Sequence, residues 1–264
     1  MYIWLWLCKP GLLRMKKFII LFFVIGFALS TRAQKTATGD GLMDGYFTLS
    51  AGLGMPVGDF GSNNVTNPNA YWAKPGANFE LSYTARFSEY LGVVVMARSI
   101  SIAHSVMGTG GFFNGNDTNY YWTTDATPNK VKMAMAGMYG SVPLTKSKNV
   151  TLFFKPMIGA SFIAESTIDY NVYARETKQL VANIKITPNG QSYNFAYAFA
   201  LGLKYNVTPT IAMVLQMDYV STNPQFNAQM AAATPAGVFY ADVTPYNIRM
   251  QLMNFNMGLA VRIK

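Results

Sequence analysis

Residues 193–205 read Tyr193, Asn194, Phe195, Ala196, Tyr197, Ala198, Phe199, Ala200, Leu201, Gly202, Leu203, Lys204, Tyr205. Large apolar and small side chains alternate without a break, and successive residues of a β-strand point to opposite faces. One face of this strand is therefore broad and aromatic, and the other is almost entirely Ala and Gly. Lipid accepts the first face, and the interior of a narrow barrel accepts the second. The same pattern runs outward from this stretch in both directions. Phe79, Leu81, Tyr83, Ala85 and Phe87 oppose Glu80, Ser82, Thr84 and Arg86, and Ile211, Met213, Leu215, Met217 and Tyr219 oppose Ala212, Gln216 and Asp218.

Such segments fall at about 44–54, 77–87, 91–103, 130–144, 150–163, 191–206, 210–221 and 246–263. The set is even in number, and each segment is long enough for a tilted membrane strand. Their connectors alternate in length. Long ones run around 55–76, 104–129, 164–190 and 222–245, and short ones lie at 88–90, 145–149 and 207–209. This pattern predicts an all-β fold: an eight-stranded antiparallel up-and-down transmembrane β-barrel with short periplasmic turns and four long extracellular loops. A soluble barrel of the lipocalin type would be polar outside, whereas here the charges lie opposite the aromatics.

Composition narrows the chemistry. The chain has 264 residues with 21 Lys+Arg, 12 Asp+Glu, one His and one Cys. Charged residues make up 12% of it, about half the share in an ordinary soluble domain. One His and one Cys exclude a His or Cys metal cluster, a redox dithiol and a disulfide framework, so no cofactor is expected. Lys16 and Lys17 precede an apolar run from Phe18 to Leu29, with Thr31 and Ala33 as small residues before a cleavage point. Residues 1–33 thus read as a secretory signal peptide, with Met15 the cleaner start. The run is too short to span a membrane as a helix, and Leu7 before Cys8 does not fit a lipoprotein signal. Removing this segment takes five basic residues and lowers the formal charge from +9 to +4. That charge no longer argues for a nucleic-acid partner. Residues 34–43 read as a periplasmic N-terminal segment and 44–264 as the barrel.

The last strand alternates Phe255, Met257, Leu259, Val261 and Ile263 with Asn256, Gly258, Ala260 and Arg262. With it, residues 40–264 resemble the small OmpA/OmpX-like outer-membrane β-barrels of Gram-negative bacteria, the group labelled "outer membrane protein β-barrel domain" or "porin family". The resemblance rests on pattern, and the terminal Arg262, Ile263 and Lys264 depart from the aromatic ending common in that family. It implies insertion by the barrel assembly machinery, a setting of outer-membrane lipid and lipopolysaccharide, and room for a protein partner in the same membrane.

An eight-stranded barrel is just wide enough for its own side chains to fill it. Glu80, Arg86, Arg98, Lys155, Lys204, Gln216 and Asp218 are the expected polar network of the lumen. Pairing centred on Glu89 sets Glu80 opposite Arg98, and an ion pair there spares Arg98 the roughly 2–4 kcal/mol cost of facing lipid at mid-membrane. These charges read as structural filler, with an ion path or small-ligand site as the alternative. In the second long loop, Phe112, Phe113, Tyr120, Tyr121 and Trp122 are candidates for partner binding, with an interfacial girdle the competing reading of the last three. Glu165, Asp169, Arg175, Glu176, Lys178 and Lys185 read as a solvated third loop.

Two enzyme families with comparable barrels act on lipid A through His, Ser and an acid. Here the only His is His104, adjacent to Ser105, and neighbours on a strand face opposite ways. Val106 removes the His-x-Ser spacing of the deacylase. The expectation is a non-enzymatic barrel with a structural, adhesive or accessory role, acting through its outer loops or its lipid-facing wall. A narrow channel or small-solute binder is the alternative, and a lipid A-modifying enzyme the remote one.

Overall fold

The computed structural model describes residues 44–62, 64, 71–103 and 119–263. The signal segment, the periplasmic segment 34–43, His104, Ser105, Phe112 and Phe113 lie outside the described residues. Thirteen strands are described: β1 (Gly45–Pro56), β2 (Gly76–Arg86), β3 (Leu91–Ile102), β4 (Tyr120–Ala126), β5 (Asn129–Pro143), β6 (Val150–Ala164), β7 (Ile168–Ala174), β8 (Leu180–Pro188), β9 (Ser192–Asn206), β10 (Ile211–Thr222), β11 (Gln225–Thr234), β12 (Gly237–Asn247) and β13 (Met250–Ile263).

Eight of them close a barrel in the ring order β1-β13-β10-β9-β6-β5-β3-β2. Every neighbouring pair is antiparallel, and the ring shuts where Gly45 to Pro56 pair with Ile263 to Leu252. Closure leaves no unpaired edge, so each backbone amide within the wall has a partner strand. These eight are the segments expected from alternation, to within a few residues. The last begins later than expected because Tyr246 and Asn247 belong to β12.

Alternation sets the two surfaces. On β9 every odd residue from Tyr193 to Tyr205 is exposed, whereas Ala196, Ala198, Ala200, Gly202 and Lys204 are buried. Leu49, Leu53, Phe79, Leu81, Ile158, Met257 and Leu259 continue the exposed apolar belt. Among the described barrel-strand residues, the outward-facing charges are Lys130 and Lys132, at the end of β5 next to the long connections. Lipid explains this pattern and water does not, because an apolar band of this extent would be an aggregation surface on a soluble protein. Strand curvature needs close approaches that only glycine allows. A Cβ on Gly137 would lie 2.0 Å from the carbonyl oxygen of Pro156 on β6.

The outer connections differ from the long loops expected. They contain β4, β7, β8, β11 and β12, which form a second sheet in the order β12-β11-β8-β7-β4. Tyr120, Tyr121 and Trp122 therefore sit in strand β4 and not in an irregular loop. Their β-propensity is satisfied against β7, where Tyr121 stacks on Tyr173 at 5.0 Å and Trp122 meets Tyr170 edge-on at 6.4 Å. The third connection is likewise a hairpin, β7 with β8, that sets Asp169 opposite Lys185.

Candidate functional site

The lumen is filled in layers. At mid-height Arg98, only 3% exposed, donates from Nη1 to Asp218 Oδ1 at 2.5 Å and from Nη2 to Asp218 Oδ2 at 2.7 Å. It also donates to Glu80, its register partner on β2. Planar two-point pairing of this kind is the strongest form of charge-assisted hydrogen bond. In the ring order β3 and β10 stand diametrically opposite, so Arg98 reaches across the barrel's full width. Lys155 lies 3.7 Å from Glu80 and donates to Gln216 Oε1 at 2.7 Å. Gln216 donates in turn to Glu80 Oε2 and Asp218 Oδ2, both at 3.1 Å.

Three asparagines that the sequence reading did not single out complete this layer. Asn254 and Asn256 donate to Asp218 at 2.8 and 3.3 Å, and Asn78 donates to Asn256 at 2.7 Å. Their positions on the inward register of β2 and β13 were the available signal. Two carboxylates and two cations balance here, and buried charges are tolerated only when paired and hydrogen-bonded in this way.

Above this layer the lumen is mainly apolar. Ile100, Ile102, Val131, Ile163, Met250 and Leu252 pack into one buried cluster, and Phe60 fills the outer mouth from a short 3-10 turn after β1. Over them sits a latch. Tyr71 and Tyr246 donate to the two oxygens of Glu165 at 2.6 Å each. Tyr71 comes from the first outer connection, Glu165 from the third and Tyr246 from the fourth, so one carboxylate ties three connections together. Glu165 was expected on a solvated surface, and its partial burial is the correction. Burial raises the Glu165 pKa, opposed by the two tyrosine hydrogen bonds. Burial and the Glu165 charge push Tyr71 and Tyr246 well up.

Arg86 and Lys204, expected in one lumen network with the others, form a separate group at the end with the short turns. Arg86 lies 3.7 Å from Asp44, and Arg262 donates to the same carboxylate at 2.5 Å. Lys204 sits over the Tyr46 ring at 3.9 Å. The hydrophobic middle of the lower lumen, Tyr139 and Phe153 stacked at 5.8 Å, separates this group from Arg98. Of the loop aromatics, Tyr120 stays exposed at the sheet margin and Tyr121 and Trp122 are half-buried. They do not converge with the lumen residues.

A closed ring of eight antiparallel strands thus wears apolar side chains outside and buried charges inside. The chain has the fold of a small outer-membrane β-barrel. The short turns of such a barrel face the periplasm and the long connections the exterior, so the five-stranded sheet is extracellular. No protein-family model matches the chain, and no curated protein matches it. Among solved structures, the outer-membrane barrel is similar to neisserial surface protein A, with 11% identity over 83% of this chain and 97% of that one, at a TM-score of 0.45. It is similar to Ail, the attachment invasion locus protein of Yersinia pestis, with 12% identity over 85% and 100% at 0.40. A major outer membrane protein of Thermus thermophilus matches with 10% identity over 83% and 99% at 0.46. At such identities and scores, the assignment rests on the barrel's own strands and faces.

Proposed function

We propose that this outer-membrane barrel is a non-enzymatic attachment or accessory subunit, and that its extracellular sheet is the surface that engages a protein partner. The observation that carries this reading is the edge strand β12. Among the described residues it pairs with β11 on one side, ends the sheet on the other, and leaves Val238, Phe239 and Tyr240 between 56% and 70% exposed. An unpaired edge with exposed aromatics is a template for strand addition by a partner. Membrane proteins that work as pores keep a wet lumen, whereas the Arg98 bridge and the apolar cluster above it fill this one. That supports a surface role over the channel alternative. Lys130 and Lys132 at the outer rim suit the phosphates of lipopolysaccharide, which would hold the barrel in place beside its partner.

The test is site-specific photocrosslinking in living cells. A photoreactive residue at Phe239 or Tyr240 should give a discrete crosslinked product, and one at Val172, buried on the inner strand β7, should not. Absence of any discrete product along β12 would overturn the reading. An affinity tag for the same work belongs at Pro235, in the β11–β12 turn. Ala231 sits within the ladder, paired with Tyr240 and Lys185.

A further inference from the structure

The mid-lumen layer closes its own charge balance, but the periplasmic mouth does not. Among the described residues, three cations gather there, Arg86, Arg262 and Lys204, against the single carboxylate of Asp44, and that carboxylate is already taken by the two arginines. Lys204 is only 5% exposed. No acid or hydrogen-bond acceptor among the described residues meets its ammonium, which lies over the face of Tyr46. A buried ammonium without an anion is costly, and a ring face offsets only part of that cost. The ammonium lines a recess shared with Tyr46, Thr48, Thr84, Tyr139 and Lys155. Its free space takes little more than one water-sized particle, and hydroxyl donors from Thr48 and Thr84 belong to the same wall.

We propose that this recess binds a small monovalent anion of halide size, held by the Lys204 ammonium and drawn in by the uncompensated charge of Arg86 and Arg262. The anion would complete the pairing that the sequence leaves open. It would make the periplasmic mouth a specific site, where the rest of the lumen is packing. The ring face of Tyr46 would hold the ammonium from one side while the anion meets it from the other.

The test is a titration of the purified, isotope-labelled barrel in detergent micelles with sodium bromide. Ionic strength is held constant with sodium gluconate, whose anion is too large for the recess. Amide shifts of Thr48, Thr84, Lys204 and Val214 should saturate together. Lys204→Met keeps the apolar stem and should weaken binding at least about 10-fold, the range for losing one charged hydrogen-bond partner. Arg86→Gln, at the half-exposed mouth, should weaken it about 3-fold and serves if Lys204→Met does not fold. A parallel titration with sodium formate separates sources. Saturation by both anions assigns the site to small monovalent anions in general, and saturation by bromide alone assigns it to halides. Saturation by neither, or equal affinity in wild type and both variants, overturns the proposal.

Discussion

Replacing Arg98 with Met isolates the energetics of the filled lumen. The substitution keeps an apolar stem of similar length but removes every bond from the guanidinium to Asp218 and Glu80. Two buried carboxylates then face one cation, Lys155, which is 3.7 Å from Glu80 and already engaged with Gln216. Breaking a buried pair by removing one partner costs about 3–5 kcal/mol, because the charge left behind has lost both water and partner. Adding Asp218→Asn to Arg98→Met leaves Glu80 and Lys155 as one adjacent pair and restores the balance. The double variant should therefore be more stable than the single, by about 2 kcal/mol or more. The one carbonyl oxygen that Asp218→Asn retains can still accept from Gln216 and Asn256, which both reach Oδ2, whereas Asn254 loses its acceptor at Oδ1. Urea unfolding of barrels refolded in detergent, followed by the mobility of the folded form in gels, measures all three proteins. The reasoning fails if Arg98→Met lies within about 1 kcal/mol of wild type, or if Asp218→Asn lowers its stability further.

Other consequences are equally direct. Reconstituted in planar bilayers, the wild-type barrel should give no unitary conductance, and a steady ohmic step would contradict a lumen bridged across its diameter. Gly137→Ala should cost about 1–3 kcal/mol as an overpacking substitution, since the added carbon would lie 2.0 Å from the Pro156 carbonyl; an unfolding midpoint equal to wild type would refute that approach. The latch predicts a pH effect of defined sign. Burial raises the Glu165 pKa in the fold, so the folded form binds its proton more tightly than the unfolded chain. Its contribution is fully present below the ordinary carboxylate value of about 4.3 and is lost as pH rises through the raised one. A chain purified from residue 34 onward has Trp72 and Trp122 as its tryptophans, both outside the barrel wall, so fluorescence reports on the outer connections. Their urea midpoint should fall between pH 4 and pH 7 by more in wild type than in Glu165→Gln, and equal falls would remove Glu165 as the cause.

What was legible in the sequence follows from where a face is buried. Barrel strands separate lipid from lumen, so β9 and β13 carry an unbroken period of two, and their ends could be read to within a few residues. The Glu80–Arg98 register was countable because the turn between β2 and β3 is short. Asp218 could not be added to that pair by counting, because it lies 120 residues along the chain and meets Arg98 only when the ring closes with β3 facing β10. The extracellular strands left little signal for a different reason. Apart from buried Val172, the residues of β7 are half-exposed, and those of β8 are half-exposed or exposed, so neither strand demands an apolar register, and Ile168 to Ala174 reads as mixed polar sequence. Glu165 was misplaced on the same ground, since its two tyrosine partners come from connections 94 and 81 residues away. Lys204 was assigned to the right surface by alternation, but its separation from the Arg98 layer depends on the height of each residue in the tilted wall.

The most direct test of the account is the environment of each side chain along β9. The only Cys in the chain is Cys8, so single cysteines can be placed from Phe195 to Leu203 and spin-labelled in a barrel reconstituted in lipid and freed of residues 1–33. The account predicts that labels at Phe195, Tyr197, Phe199, Leu201 and Leu203 are relaxed by oxygen dissolved in the bilayer, and that labels at Ala196, Ala198, Ala200 and Gly202 are shielded. Uniform accessibility along the strand, or relaxation of the odd positions by a water-soluble agent at mid-strand, would contradict a membrane barrel with a filled lumen.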